Sequence, residues 1–259
     1  RLAIQINPEF AGAKYNLANI LKSQKNFTEA IQLYQQAIQL NPDDEQSYYN
    51  LANTFFEIGE YNAAIQCYNQ TLRINNNMYE AHYNLANTLH ELKRWDEAII
   101  HSKEIIRIKP DYKDAYKLIG IALETNAKDE AAKKYYQTAY QLEPENTCLK
   151  LHIDTICPWV NLSSYEIDDY RYNVEKIVDN YLLNNIKLNI DNISDNPQPT
   201  STLIYQGKHN KALKEHYAEI FRRSFTPYDK KFDTKSKKIK LGFLVTSGME
   251  GIFTKFTKN

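Results

Sequence analysis

Small and apolar residues return with a period of 34 along the first 146 positions, marked by Ala30, Ala64, Ala98 and Ala132. The pair Leu17-Ala18 recurs as Leu51-Ala52, Leu85-Ala86 and Ile119-Gly120, and the next large residue as Leu21, Phe55, Leu89 and Leu123. Later columns hold Tyr34, Tyr68, Ser102 and Tyr136, then Ala37, Thr71, Ile105 and Ala139. Each repeat closes near Pro42, Pro110 or Pro144, with Asn76 in the second. Within one repeat the apolar positions fall three and four apart, which is one face of a helix. The proline ends one helix ahead of the next. The pattern predicts four helix pairs, at residues 11–44, 45–78, 79–112 and 113–146. Residues 1–10 match the end of a repeat, with Pro8 in the proline column. One pair cannot bury its own apolar face, so the pairs are expected to stack as a solenoid. Phe27, Tyr61 and Trp95 form a further column. These aromatics are expected to pack between adjacent repeats, each contributing about 1.5–3 kcal/mol when buried. Asp129 takes that place in the fourth repeat and predicts a looser end to the array.

A 34-residue period with these columns resembles the tetratricopeptide repeat. The resemblance implies an all-α superhelical solenoid whose first helices line a concave, polypeptide-binding face. Those helices carry Y-N-L-A-N three times, placing Tyr15, Tyr49 and Tyr83 beside the inner asparagines Asn16, Asn50 and Asn84 and the outer asparagines Asn19, Asn53 and Asn87. The fourth has Leu118 and Ile121 instead. An amide side chain both donates and accepts, so it can pair with a peptide backbone at two points without reading side chains. At about 0.5–1.5 kcal/mol per net hydrogen bond, three such rungs give about 3–9 kcal/mol before ordering costs. That suits a transient partner, an extended polypeptide segment. Some tetratricopeptide co-chaperones grip a C-terminal carboxylate with a Lys–Asn–Asn–Lys–Arg clamp. Here Tyr15 stands at its first lysine, and Glu80 and Asn84 stand at its later basic positions, which argues against that chemistry.

Beyond the repeats, a helical pattern resumes at 147–156 and stops at Pro158. Ser163 or Ser164 is placed to cap a helix whose first turn carries Glu166, Asp168 and Asp169. Tyr170, Val174, Ile177 and Tyr181 fall on one face of it. Residues 184–203 are rich in Asn, Asp, Ser and Pro and read as a linker. A second amphipathic helix carries Leu213, Tyr217, Ile220 and Phe221, with Arg222 and Arg223 near its end. Residues 226–240 are basic and read as a solvated stretch, with aromatics too sparse for single-stranded nucleic acid. The apolar run IKLGFLVTSG, residues 239–248, reads as the first strand of a parallel α/β sheet. The domains expected are therefore a repeat array at 1–146, a helical connector and linker at 147–238, and the truncated start of a Rossmann-like domain at 239–259. The chain opens on Arg1 with no signal peptide ahead of it, and its ends read as a fragment's.

Composition narrows the chemistry. Lys plus Arg and Asp plus Glu are 32 each, so the net charge is zero, against a generally basic nucleic-acid binder. No apolar run is long enough to insert in a membrane. Cys67, Cys148 and Cys157 form no C-x-x-C pair and read as reduced thiols of a cytoplasmic protein. His82 and His90 lie two helical turns apart with no third ligand, and read as solvated rather than metal-binding. No cofactor or catalytic residue is expected within this chain.

The order of parts resembles SPINDLY-type and O-GlcNAc transferase-like protein glycosyltransferases. The matching segments are the Y-N-L-A-N repeats, YEIDDYRYNVEKI, IYQGKHNKALKEHYAEIFRR and KIKLGFLVTSG. This resemblance implies a substrate-recognition part of an enzyme that moves sugar from a nucleotide-sugar donor to Ser or Thr hydroxyls. It also implies that Asn16, Asn50 and Asn84 hold substrate backbone. The donor would bind only where a catalytic domain follows. That family often has a His after the first strand; here Gly248-Met249-Glu250-Gly251 follows, and no His comes after His216. The alternative is a stand-alone tetratricopeptide adaptor for protein–protein interaction.

Overall fold

The computed structural model describes residues 2–156, 164–189 and 211–224. The chain divides after Asn126 into two compact bodies, and the division falls inside the fourth repeat. The first body holds α1 (Leu2–Ile6), α2 (Ala11–Ser23), α3 (Phe27–Leu40), α4 (Glu45–Glu57), α5 (Tyr61–Ile74), α6 (Tyr79–Glu91), α7 (Trp95–Ile108) and α8 (Lys113–Thr125). The second holds α9 (Asp129–Leu142), α10 (Thr147–Thr155), α11 (Ser164–Leu183) and α12 (Lys211–Ser224).

The 34-residue columns explain the first body. Ala18, Ala52 and Ala86 on the first helices, and Ala30 and Ala64 on the second, have no exposed surface; Ala98 keeps almost none. A methyl group there lets two helix backbones approach closely, and larger side chains fill the space on either side. Tyr34 fills it in the first repeat, and Tyr68 with Leu85 and Leu89 between the second and third. In the third repeat Ser102 replaces the tyrosine. The larger Ile105, fully buried, stands where the other repeats have Ala37 and Thr71.

Each elbow between paired helices turns on one left-handed residue. Lys25, Gly59 and Lys93 have φ of +60°, +82° and +58°. The amide after each reaches back to the helix: Asn26 N to Leu21 O (2.9 Å), Glu60 N to Phe55 O (2.9 Å) and Arg94 N to Leu89 O (2.8 Å). This is the αL stop that satisfies orphaned helix-end carbonyls. Glycine adopts it freely, yet only the second repeat has one.

The aromatic column packs differently from the sequence expectation. Tyr61 lies against Phe56 at 5.5 Å between centroids, and Trp95 against His90 at 4.4 Å. Both partners come from the same repeat. Phe27, Tyr61 and Trp95 open the second helix directly after the elbow, and the rings of Tyr61 and Trp95 fold onto the last turn of their own first helix. They are only partly buried there.

In the second body, α10, α11 and α12 share a core of Cys148, Leu151, Val174, Val178, Tyr181, Leu213, Tyr217 and Ile220, closed by Leu188. Tyr170 and Ile177 pack on its edge, on the face of α11 that the periodicity marks out. The Tyr170 hydroxyl donates to Thr155 O (2.5 Å), and Arg223 donates to Leu182 O (2.9 Å). Asn146 caps α10 by accepting from Leu149 N (2.9 Å). Asp129, in the aromatic column, is buried at the start of α9. The proposed strand at 239–248, the basic stretch at 226–240, and most of the linker lie outside the described residues.

The elbows predict a stability series. Lys93→Gly should stabilise the chain by about 0.5–1 kcal/mol, because the left-handed backbone suits glycine. Gly59→Ala should destabilise it by about 1 kcal/mol. An added Cβ there meets nothing within 4 Å, so the loss is purely conformational. Urea denaturation of both variants checks the signs.

Candidate functional site

In the first body, α2, α4, α6 and α8 touch in succession, whereas α3, α5 and α7 touch the first helices on either side and have no comparable contact with one another. The first helices therefore lie closest together, on the inner side of the stack's curve. Their buried edge is fixed by Ala18, Leu21, Leu51, Ala52, Leu85 and Ala86. Helical spacing then places the Tyr and Asn columns on the opposite edge, where all nine candidate residues keep some exposure and Asn16 is exposed.

These residues bond mainly to one another. The Asn50 amide donates to the Tyr15 hydroxyl (2.8 Å), and the Asn84 amide donates to the Tyr49 hydroxyl (3.0 Å), each across 35 residues. Asn84 also donates to Asn53 Oδ1 (2.8 Å). The outer asparagines accept from the buried tyrosines of their own repeats: Tyr34 to Asn19 Oδ1 (2.5 Å) and Tyr68 to Asn53 Oδ1 (2.6 Å). Burial pushes the Tyr34 and Tyr68 phenols well above their ordinary range, so both stay protonated as donors. Burial also raises Tyr49, against the amide contacts from Asn53 and Asn84.

The three inner asparagines are thus unequal. Asn84 has committed both amide hydrogens. Asn50 has committed one and keeps the other with its carbonyl. Asn16 has no hydrogen-bond partner among the described residues; the column that bonds Asn50 and Asn84 would fall ahead of Arg1 in its case. Asn87 also has none, because Ser102 stands where a tyrosine would reach it; the Ser102 hydroxyl is itself buried without a partner. In the repeat after Tyr83 the asparagine column is held by Leu118. Tyr83 meets the edge of Tyr112 (5.5 Å, 79°).

Sequence reasoning passed over the group around that contact. Tyr79 also packs edge-on to Tyr112 (5.4 Å), and the Lys109 ammonium lies over both rings at 4.8 and 5.3 Å. The available signal was Tyr79, one helical turn before Tyr83. Lys117, in the fourth repeat's tyrosine column, is buried and paired with Asp114 (2.6 Å).

Other candidate chemistry is placed as follows. Burial pushes the Cys67 and Cys148 thiols up to about 11, so both are protonated near neutral pH; Cys157 lies outside the described residues. His82 is buried rather than solvated, and His90 packs edge-on with Trp95, its Nε2 buried. Two helices close over these rings because each follows the small-residue columns. Among the described residues no group of three or more His, Cys, Asp or Glu is placed to hold a metal, and no helix is long and apolar enough to cross a membrane.

These features define a helical-repeat interaction scaffold. Residues 18–59 and 52–93 match the family model described as TPR repeat, and residues 79–112 and 114–146 match that of the tetratricopeptide repeat. Residues 18–146 of this chain are therefore tetratricopeptide repeats. Among solved structures, one of MamA is similar at 25% identity and a TM-score of 0.54, over 56% of this chain and 85% of that one. MamA residues 41 to the end from Desulfovibrio magneticus RS-1 are similar at 19% identity and a TM-score of 0.56, over 68% of this chain and 95% of that one. YrrB, described as a TPR protein with an unusual peptide-binding site, is similar at 18% identity and a TM-score of 0.57, over 74% and 93%. No curated protein sequence matches the chain. The repeat is supported by these likenesses; the glycosyltransferase part of the resemblance gains no support from them.

The hydrogen bonds rank the asparagines for stability. Asn84→Ala should cost about 1–3 kcal/mol, since two bonds are lost, and Asn50→Ala about half of that. Asn16→Ala should stay within about 0.5 kcal/mol of wild type. Thermal denaturation followed by circular dichroism reads the order.

Proposed function

We propose that this chain is a protein-interaction scaffold that holds extended polypeptide segments on the inner face of its repeats. The observation that carries this reading is the uncommitted hydrogen-bonding capacity of Asn50 and Asn87 on a partly exposed surface. The bond from Asn50 to Tyr15 holds that amide in place before a ligand arrives, which lowers the ordering cost of binding there. The N-terminal part of the face would take backbone through Asn16 and Asn50. The Tyr79–Tyr83–Tyr112 group would offer ring faces to side chains further along. Peptide binding on the same fold is named for YrrB, which supports the reading as an analogy of fold.

The finer reading, a substrate-recognition part of a protein O-glycosyltransferase, rests on the resemblance of residues 165–177, 204–223 and 238–248. The last of these, and residues 204–210 of the second, lie outside the described residues. A stand-alone adaptor needs only the repeat face, and it is the reading favoured here.

Screening the chain against an array of random-sequence peptides tests the proposal. The combined variant Asn16→Ala/Asn50→Ala should bind the selected peptides about 10-fold more weakly, the loss of about two net hydrogen bonds. Its helical content should be unchanged. Equal binding by wild type and variant, with the fold intact, would overturn the backbone-holding role of these residues.

A further inference from the structure

His82 on α6 and His101 on α7 meet inside the third repeat. Their Nδ1 atoms are 3.0 Å apart and their ring centroids 5.3 Å apart. That leaves about 1.2 Å on either side, about the distance from an imidazole centre to its nitrogen, so each nitrogen points along the line to the other. Two imidazoles sharing one metal at about 2.0–2.1 Å per bond would turn toward a third point, bringing their centres to about 4.7 Å at this nitrogen separation. The pair is a head-to-head hydrogen bond and not a chelate.

Its tautomers follow from its surroundings. His82 Nε2 lies 3.1 Å from the Asn76 carbonyl oxygen, which only accepts, so that nitrogen carries the proton. Nδ1 of His82 is then bare, and the bridging hydrogen belongs to His101 Nδ1. One added proton can enter at His101 Nε2 with the bridge intact. A second has only Nδ1 of His82 left, and would set two N–H groups against each other with two positive charges. The same loop is tied to α7 by Arg107, which donates to Asn77 Oδ1 (3.0 Å) and pairs with Glu104 (2.7 Å). Histidines occupy these two columns in the third repeat alone. The second has Tyr48 and Cys67, the fourth Tyr116 and Tyr135, and the first Lys14 and Leu33.

We propose that the His82–His101 pair is an acid-sensitive joint between α6 and α7, stable when neutral and able to hold one proton but not two. The charged groups acting on it are Glu97, Glu104 and Arg107, all from α7. Among the described residues, α4, α5 and α8 add no charge that acts on it. Burial is the main cause holding both rings below the ordinary 6.5, and His101 stands at about 4 with His82 beside it lowering it further; Glu97 and Glu104 pull the other way. The unfolded chain therefore binds more protons than the folded one between about pH 6.5 and 4. The stabilising contribution is fully present above that window and is lost as pH falls through it.

Urea denaturation at about pH 7.5 and about pH 4.5 tests this on the full chain, beside the variant His82→Tyr/His101→Cys, which copies the second repeat's pair. On acidification, the folded-to-unfolded ratio of wild type should fall about 10-fold further than that of the variant, less than the full shift because His101 keeps some solvent contact. Nitrogen-15 spectra of the wild-type histidines supply an independent reading. At neutral pH they should show a proton on Nε2 of His82 and on Nδ1 of His101. Identical pH dependence in both proteins, or Nε2–H on both rings, would overturn the proposal.

Discussion

Close approach of two helix backbones at paired alanines is the constraint on which the rest of the first body depends. Ala18 with Ala30, Ala52 with Ala64, and Ala86 with Ala98 leave almost no surface to solvent. Each pair sets the distance between its two helices, and hence the space that a tyrosine or leucine beside it must fill. A longer side chain at these columns would push the helices apart and disturb every neighbour in the stack. The face that carries Tyr15, Asn50 and Asn84 inherits its geometry from that spacing.

Polar bonding on the inner face follows as a second layer. Buried tyrosines send their hydroxyls outward to Asn19 and Asn53, and the partly buried Tyr15 and Tyr49 accept from the next repeat's asparagine. A buried phenol without a partner would be costly, so these asparagines serve stability first. What remains for a ligand is the capacity left over at the places where the pattern breaks. Asn87 has no tyrosine of its own, because Ser102 fills that column. Departures from the repeat, rather than the repeat itself, single out the residues open to a partner. The histidine pair of the third repeat is another such departure, and its His82 sits on the helix that also bears Asn84.

Much of the architecture was legible in the chain because its repeats agree column by column. The eight long helices of the array, the ends near the proline column, and the apolar faces of α11 and α12 all follow from periodicity. The elbow conformation was not legible. Lys25, Gly59 and Lys93 share a left-handed backbone but no common side chain, so only Gly59 carried a local signal. The aromatic column was legible as packing surface but not as to its partner or its partial exposure. Whether Trp95 turns to its own repeat or the next depends on the path of the elbow in three dimensions.

Of the candidate site, the sequence determined the columns: Tyr, Asn and Asn at one edge of three successive helices, since 34-residue spacing and helical periodicity leave them nowhere else to lie. Tertiary structure decided which amides are already committed, because that depends on angstrom-scale distances between side chains 35 positions apart. It likewise decided that His82 meets His101 rather than standing alone beside His90. Spacing within one helix reveals neighbours on that helix, whereas the partner across a helix crossing is fixed only when the alanines bring the two backbones together.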